Sequence, residues 1–180
     1  MSKQVVHEIV KEVAVDKSEA ELFRETFAAQ AAGVAIITAS CQDGQPAGLT
    51  ISSLSSVSAD PPMVAFSFQN RSGSAAKIAE APSFLIHLVS GENVGLAQRF
   101  AISKYPKFAD PSSWDRLPTG EPLLHGIGRV FRVEPVSVVE ADPALVYLAR
   151  VTDFVRHDLE ATPVVYHARK FHQLGDNYEI

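Results

Sequence analysis

The sequence predicts a mainly β protein: an antiparallel β-barrel with helices at its periphery. Short β-branched runs recur along the chain, and beyond residue 122 they follow one another in quick succession. The few stretches with helical spacing are short and do not alternate regularly with the strands, which argues against a parallel sheet with crossover helices. No internal repeat or linker divides the 180 residues, so one domain is expected, with residues 1–17 as an N-terminal arm.

The elements read as follows. Residues 1–17 are charged and rich in valine, without a turn signal. Ser18 and Glu21 have the spacing of a capping box, and Leu22, Phe23, Phe27 and Ala31 recur at helical spacing. They predict a helix over 19–31 that Gly33 stops. Residues 34–39 are apolar and β-branched, a buried strand, and 47–51 return as its hairpin partner after a turn centred on Asp43 and Gly44. Asp60, Pro61 and Pro62 break the pattern. A strand over 63–68, a short helix over 74–81 closed by Pro82, a strand over 84–89 and a helix over 93–100 come next. Residues 102–121 are polar and carry Tyr105, Phe108 and Trp114, either a lid or a packed surface loop. Strands are predicted at 130–133, 136–140, 145–154 and 164–166.

Composition excludes several functions. Sixteen basic against 21 acidic residues give a net charge of −5 without a basic cluster, whereas phosphate backbones need concentrated Lys and Arg. The single cysteine, Cys41, rules out a disulfide framework and a Cys-based zinc cage and fits a reducing cytosol. No apolar run approaches the ~18 residues of a membrane helix, and the first ten residues alternate rather than form a signal peptide. A cytoplasmic protein without membrane contact is expected.

Two hydroxyl-rich segments could carry chemistry. Five of the seven residues from Ser52 to Ser58 are serine, placed after a strand and before the double proline. They read either as a polar loop with self-satisfied turns or as a cradle for a heterocycle whose edge carries both donors and acceptors. The second segment, 67–74, sets hydroxyls, Gln69, Asn70 and Arg71 before a helix, with Gly73 allowing close backbone approach. This could bind phosphate, although Ser74 is also explained as an N-cap. Dinucleotide and P-loop glycine patterns and a hydrolase nucleophile elbow are absent, and Gly126-Ile127-Gly128 reads as a spacer. His167 and His172 are five apart, unsuited to one helical face, and are read as surface residues rather than metal ligands. His87 lies in an apolar strand in parity with Leu85 and Val89, as a satisfied core histidine would.

The run Gly48-Leu49-Thr50-Ile51-Ser52-Ser53, continued through Ser56-Val57-Ser58 to Asp60-Pro61-Pro62, resembles the flavin reductase-like, FMN-binding split-barrel family. Phe23-Arg24, residues 33–38, Leu96-Ala97, Phe100-Ala101, Lys107-Phe108, Pro122-Leu123, Arg150-Val151 and residues 163–166 match as well. The resemblance implies a Greek-key split barrel and a homodimer whose groove holds FMN or, in some members, FAD. By position, Thr50, Ile51, Ser52 and Ser53 would meet the isoalloxazine edge, and Ser67, Phe68, Gln69, Asn70, Arg71, Ser72 and Ser74 the ribityl chain and phosphate. Ala101 and Lys107 would close the site. Family reductases pass a hydride from NADH or NADPH to the flavin and often serve a partner monooxygenase, so no residue need act as general acid and no metal is implied. Their Gly-Asp-His before a late strand is replaced here by Ala141-Asp142-Pro143-Ala144. The replacement favours an alternative, a flavoredoxin-like electron carrier without a nicotinamide site. A third reading is a binding module for heme or a deazaflavin.

Overall fold

A computed structural model describes residues 17–69, 73–157 and 160–175. Of the predicted arm, residues 1–16 lie outside these, as do Asn70, Arg71 and Ser72. In chain order the elements are α1 (Glu19–Ala28), β1 (Ala32–Gly33), β2 (Ala35–Ser40), β3 (Pro46–Ile51), β4 (Ser55–Ala59), β5 (Pro62–Gln69), α2 (Gly73–Ile78), β6 (Phe84–Leu88), α3 (Val94–Ala101), β7 (Trp114–Arg116), β8 (Pro122–Leu124), β9 (Arg129–Ala141), β10 (Ala144–His157), β11 (Val164–His167) and β12 (Lys170–Gln173).

Seven strands form one sheet in the order β3-β2-β6-β9-β10-β5-β4, antiparallel throughout. Its two edges, β3 and β4, are joined by only three residues, 52–54. Laid flat, seven strands at ~4.8 Å spacing would hold those edges about 29 Å apart. Four Cα steps span at most ~14 Å. The sheet must therefore curl until its edges nearly meet, and the result is a split barrel with its seam at residues 52–54.

Burial follows from this curl. On one side of β2 the residues Ala35, Ile37 and Ala39 join Phe66, Phe84 and Tyr147 in the barrel's interior. Its other side sends Val34 and Ile36 into a second core with Leu85, Phe100, Leu124 and Ile127. Buried on both faces, β2 and β6 read as continuous apolar runs. The interior stacks Phe66 against Tyr147 with ring centroids 5.0 Å apart, and the Tyr147 hydroxyl donates to Ala79 O at 2.8 Å, tying the α2 end to the barrel. Burial raises that phenol to about 12.

Several boundaries differ from expectation. The first helix ends at Ala28, not 31, because Ala32 and Gly33 pair with Tyr166 and Val165 while Ala168 N–H caps Ala28 O at 2.8 Å. Half of the serine run is β4, an edge strand on β5 rather than loop. The strands predicted at 130–133 and 136–140 are one, β9, running through Pro135. Leu148 faces Ser137 and Ala149 faces Pro135, so Val136 is the extra residue of a bulge. A proline cannot donate to a ladder, and bulges are where strands tolerate it. Residues 102–121 take the packed alternative: Phe108 and Trp114 stack edge-on in the second core, and β7 pairs β8.

Candidate functional site

The segment after β3 and the end of β5 lie side by side at the seam. They wall a cavity of about 630 Å³ lined by Thr50, Ile51, Ser52, Ser53, Ser67, Phe68, Gln69, Ser74, Ala101 and Lys107. The structure thus brings together every predicted site residue that it describes. Asn70, Arg71 and Ser72 lie outside the described residues. The sequence reading missed Leu49, Ala75, Phe100 and Ser103, which complete the wall.

The hydroxyls divide by duty. Thr50 Oγ1 donates to Ala97 O at 2.6 Å and fastens α3 to β3. Ser53 Oγ bonds the backbone of Ser67. Ser52 has no hydrogen-bond partner among the described residues and is exposed. Phe68 is buried in the barrel core, so it offers the cavity its backbone. Gly48 lets α3 approach: a Cβ there would meet Ile37 O and Phe100 Cε1, each at 2.8 Å.

Lys107 supplies the charge. Its Nζ donates to Ser74 Oγ at 3.1 Å, and desolvation by burial lowers its pKa. Among the described residues no carboxylate lines the cavity, so this half-buried cation faces a neutral hydroxyl there. A group with a hydrogen-bonding edge and an anionic tail fits this donor set, as FMN does. The helix-end contribution expected at α2 is slight, because α2 has only six residues.

A second hollow of about 810 Å³ shares Thr50, Ile51, Ser52 and Ala101 with the first, and Gln98, Tyr166, Arg169, Lys170 and Phe171 line its far side. Lys170 and Phe171 escaped the sequence reading because β12 was not recognised as a strand. His87 holds no ligand: fully buried, its Nδ1–H donates to Ile36 O at 3.2 Å and Nε2 accepts Leu124 N–H at 3.1 Å. Desolvation holds it neutral, with its pKa lowered to about 3. Among the described residues no three His, Cys, Asp or Glu side chains gather to hold a metal, and no helix is long and apolar enough to cross a membrane.

Among the described residues, a barrel split along a hydroxyl-lined seam, with the Lys107 cation facing no carboxylate, suits a ligand with a hydrogen-bonding edge and an anionic tail. The family model described as flavin reductase like domain matches residues 27–175. The chain belongs to that family. It is 36% identical over 154 residues to an NADH:FMN oxidoreductase of Rhodococcus qingshengii, covering 84% of this chain and 80% of that one. Among solved structures, a flavin reductase domain protein from Arthrobacter sp. FB24 superposes with a TM-score of 0.80 at 30% identity, over 89% of this chain and 99% of that one. BorF, the flavin reductase component of a bacterial two-component tryptophan halogenase, gives 0.75 at 26%, over 88% and 99%.

Proposed function

We propose that this chain is an NAD(P)H-dependent flavin reductase, reducing FMN or FAD and passing the reduced flavin to a partner oxygenase or other acceptor. The observation that carries the reading is the seam cavity, where Ser52 and Lys107 stand ready for a ring edge and an anion and no carboxylate among the described residues opposes them. When bound, the flavin supplies the hydride-accepting chemistry. The chain's own part is to hold it. Ser52 and the backbone of β5 meet the ring edge, Lys107 and Ser74 take the phosphate, and Thr50 and Gly48 fix α3 so that Ala101 covers the site. The relatives' names support the donor and the acceptor. Mixing the protein with excess FMN and NADH and following the loss of reduced-nicotinamide absorbance tests this reading; retention of flavin without NADH oxidation would overturn it.

Pro143 at the β9–β10 turn, where family reductases carry a histidine, favours a second reading as a flavin-binding electron carrier. That protein would bleach only with dithionite or a donor protein. In either reading the working form is a homodimer. Val139 and Val146 pair across the β9–β10 ladder on the face opposite Tyr147 and are exposed, an apolar patch that a second copy would cover. A single cysteine and a nicotinamide donor support a cytoplasmic location.

A further inference from the structure

Lys107 reaches the seam on a segment that a histidine fastens from behind. Three residues beyond it, Asp110 opens the tight turn Pro111–Ser113, and its carboxylate accepts the Ser112 N–H at 2.9 Å and the Ser112 hydroxyl at 2.6 Å. His125, next after β8, grips that turn. Its backbone N–H donates to Ser113 O at 2.9 Å, its Nδ1 lies 2.8 Å from Ser112 O, and its Nε2 lies 2.7 Å from Asp115 Oδ2. From the turn toward the cavity, Trp114 meets Phe108 edge-on with ring centroids 5.4 Å apart, and Phe108 meets Phe100 in the same way at 5.4 Å. Phe100 lines the seam cavity, and Phe108 is the chain neighbour of Lys107.

Both groups that face the imidazole are acceptors, one a carbonyl and the other a carboxylate. A neutral ring has a single N–H and serves only one of them, whereas the imidazolium donates to both. The side chain is 40% exposed, so solvent protons reach it freely. Asp115 on β7 favours the cation. Arg156 on β10 opposes it, while its own guanidinium donates to Leu124 O at 3.0 Å and Ile127 O at 3.2 Å. The bond to Asp115 prevails and raises the pKa of the ring.

We propose that His125 is a positioning residue for the flavin phosphate: its imidazolium pins the turn between Ser112 and Asp115, the turn sets Trp114 and Phe108, and these hold Lys107 at its bond to Ser74. The proposal rests on the flavin reading of the seam cavity. Loss of the ring proton gives up one of the two bonds and loosens the segment, so Lys107 meets the phosphate less often. FMN affinity therefore falls as pH rises through the His125 titration, whereas riboflavin, which has no phosphate, is indifferent to it. The coupling is reciprocal: FMN favours the protonated ring by the same factor by which the protonated ring favours FMN.

The test compares the parent with His125→Gln, which donates once and does not titrate, and with Asp115→Asn, which keeps an acceptor but removes its charge. FMN and riboflavin affinities are measured by fluorescence from about pH 6 to 9 and expressed as their ratio. The FMN phosphate and Lys107 titrate alike in parent and variants, so the difference between the curves belongs to His125. Its own titration is followed by the ring-proton NMR signal that the glutamine variant lacks. Support comes from a ratio that falls about threefold more in the parent than in His125→Gln, a step moved to lower pH in Asp115→Asn, and a His125 titration that FMN, but not riboflavin, moves to higher pH. Identical profiles in parent and His125→Gln overturn the proposal, as does an equal loss of FMN and riboflavin affinity in that variant, which would mark a purely structural contact. Failure of the parent to bind FMN overturns the flavin reading instead. Inorganic phosphate then decides on the histidine: a His125 signal that phosphate moves to higher pH upholds its role, and one that stays in place ends it.

Discussion

The hydroxyl of Ser53 donates to the carbonyl oxygen of Ser67 at 2.7 Å and accepts the N–H of the same residue at 3.0 Å. β4 pairs with β5 only as far as Ala65, so beyond that point a serine side chain takes the place of a ladder partner and joins the sheet's two edges. Ser53 is therefore occupied with holding the seam, while Ser52 beside it has no partner among the described residues. The two serines should respond differently to alanine. Ser52→Ala weakens FMN binding by ~1 kcal/mol, about fivefold, and leaves the melting temperature unchanged. Ser53→Ala removes two exposed bonds and lowers the melting point by roughly 2–4 °C per kcal/mol lost. Flavin titration and thermal melting of both variants check this, and equal behaviour would refute the division.

Lys107 discriminates by phosphate. Its only partner among the described residues is the Ser74 hydroxyl, and burial lowers its pKa. Replacing Lys107 by Met should weaken FMN by several-fold, about 1 kcal/mol after allowing for partial exposure, and leave riboflavin affinity as it was. In the parent, the lowered pKa means that the charge is lost at lower pH than for an ordinary lysine. FMN affinity then falls as pH rises through that value, and riboflavin affinity stays flat. Titrations of the two ligands across alkaline pH, with and without added salt, provide the measurement.

Elements whose periodicity and packing agree were legible in the sequence. β2, β5 and β6 are apolar because they are buried, and α3 carries its own helical spacing with Ala97 and Phe100 inward. β4 was not legible: its serines are poor strand formers, and only pairing with β5 makes them extended. β1 and β12 are likewise set by partners distant in sequence, Tyr166 and Val165 for one and β11 for the other. The site divides the same way. The serines, Gln69 and Lys107 are chemically conspicuous, whereas Leu49, Ala75 and Phe100 line the cavity only through where the barrel puts them. The turn at Ala168 and Arg169 was not legible either, since nothing about an Ala-Arg pair announces two positive φ angles.

Gly48 links packing to the site. Its missing side chain is what allows α3 to sit against β3, since a Cβ would lie 2.8 Å from both Ile37 O and Phe100 Cε1. The first is backbone in the central strand β2, and the second is a ring packed in the second core, so neither can simply give way. Gly48→Ala should cost about 1–3 kcal/mol of stability. Because α3 must shift outward, the Thr50–Ala97 bond at 2.6 Å lengthens and Ala101 leaves the cavity wall. Flavin affinity should therefore fall together with the melting temperature. An alanine variant with parental stability would mean that α3 is not held at this contact.

His87 gives the fold a pH dependence whose sign is fixed by burial. Desolvation lowers its pKa from 6.5 to about 3, and the nearby Arg156 charge adds to the effect, while the bond to Ile36 O opposes it. Between those values the unfolded chain binds the proton and the folded chain does not, so stability rises with pH through the window. This contribution is complete above about pH 6.5 and is lost as pH falls toward 3, at up to ~1.4 kcal/mol per pH unit. Glutamine at this position keeps a donor toward Ile36 O and an acceptor for Leu124 N–H but does not titrate. His87→Gln should therefore melt at a pH-independent offset above pH 7 and gain on the parent steadily from about pH 6.5 to 5, above the range where most carboxylates titrate. His125, whose pKa is raised by its bond to Asp115, contributes the opposite slope above that window: its contribution is fully present below about pH 6.5 and is lost as pH rises beyond it. Both proteins carry it, so the difference between their melting curves isolates His87. Parallel curves across this window would show that the buried imidazole takes up its proton without disturbing the fold.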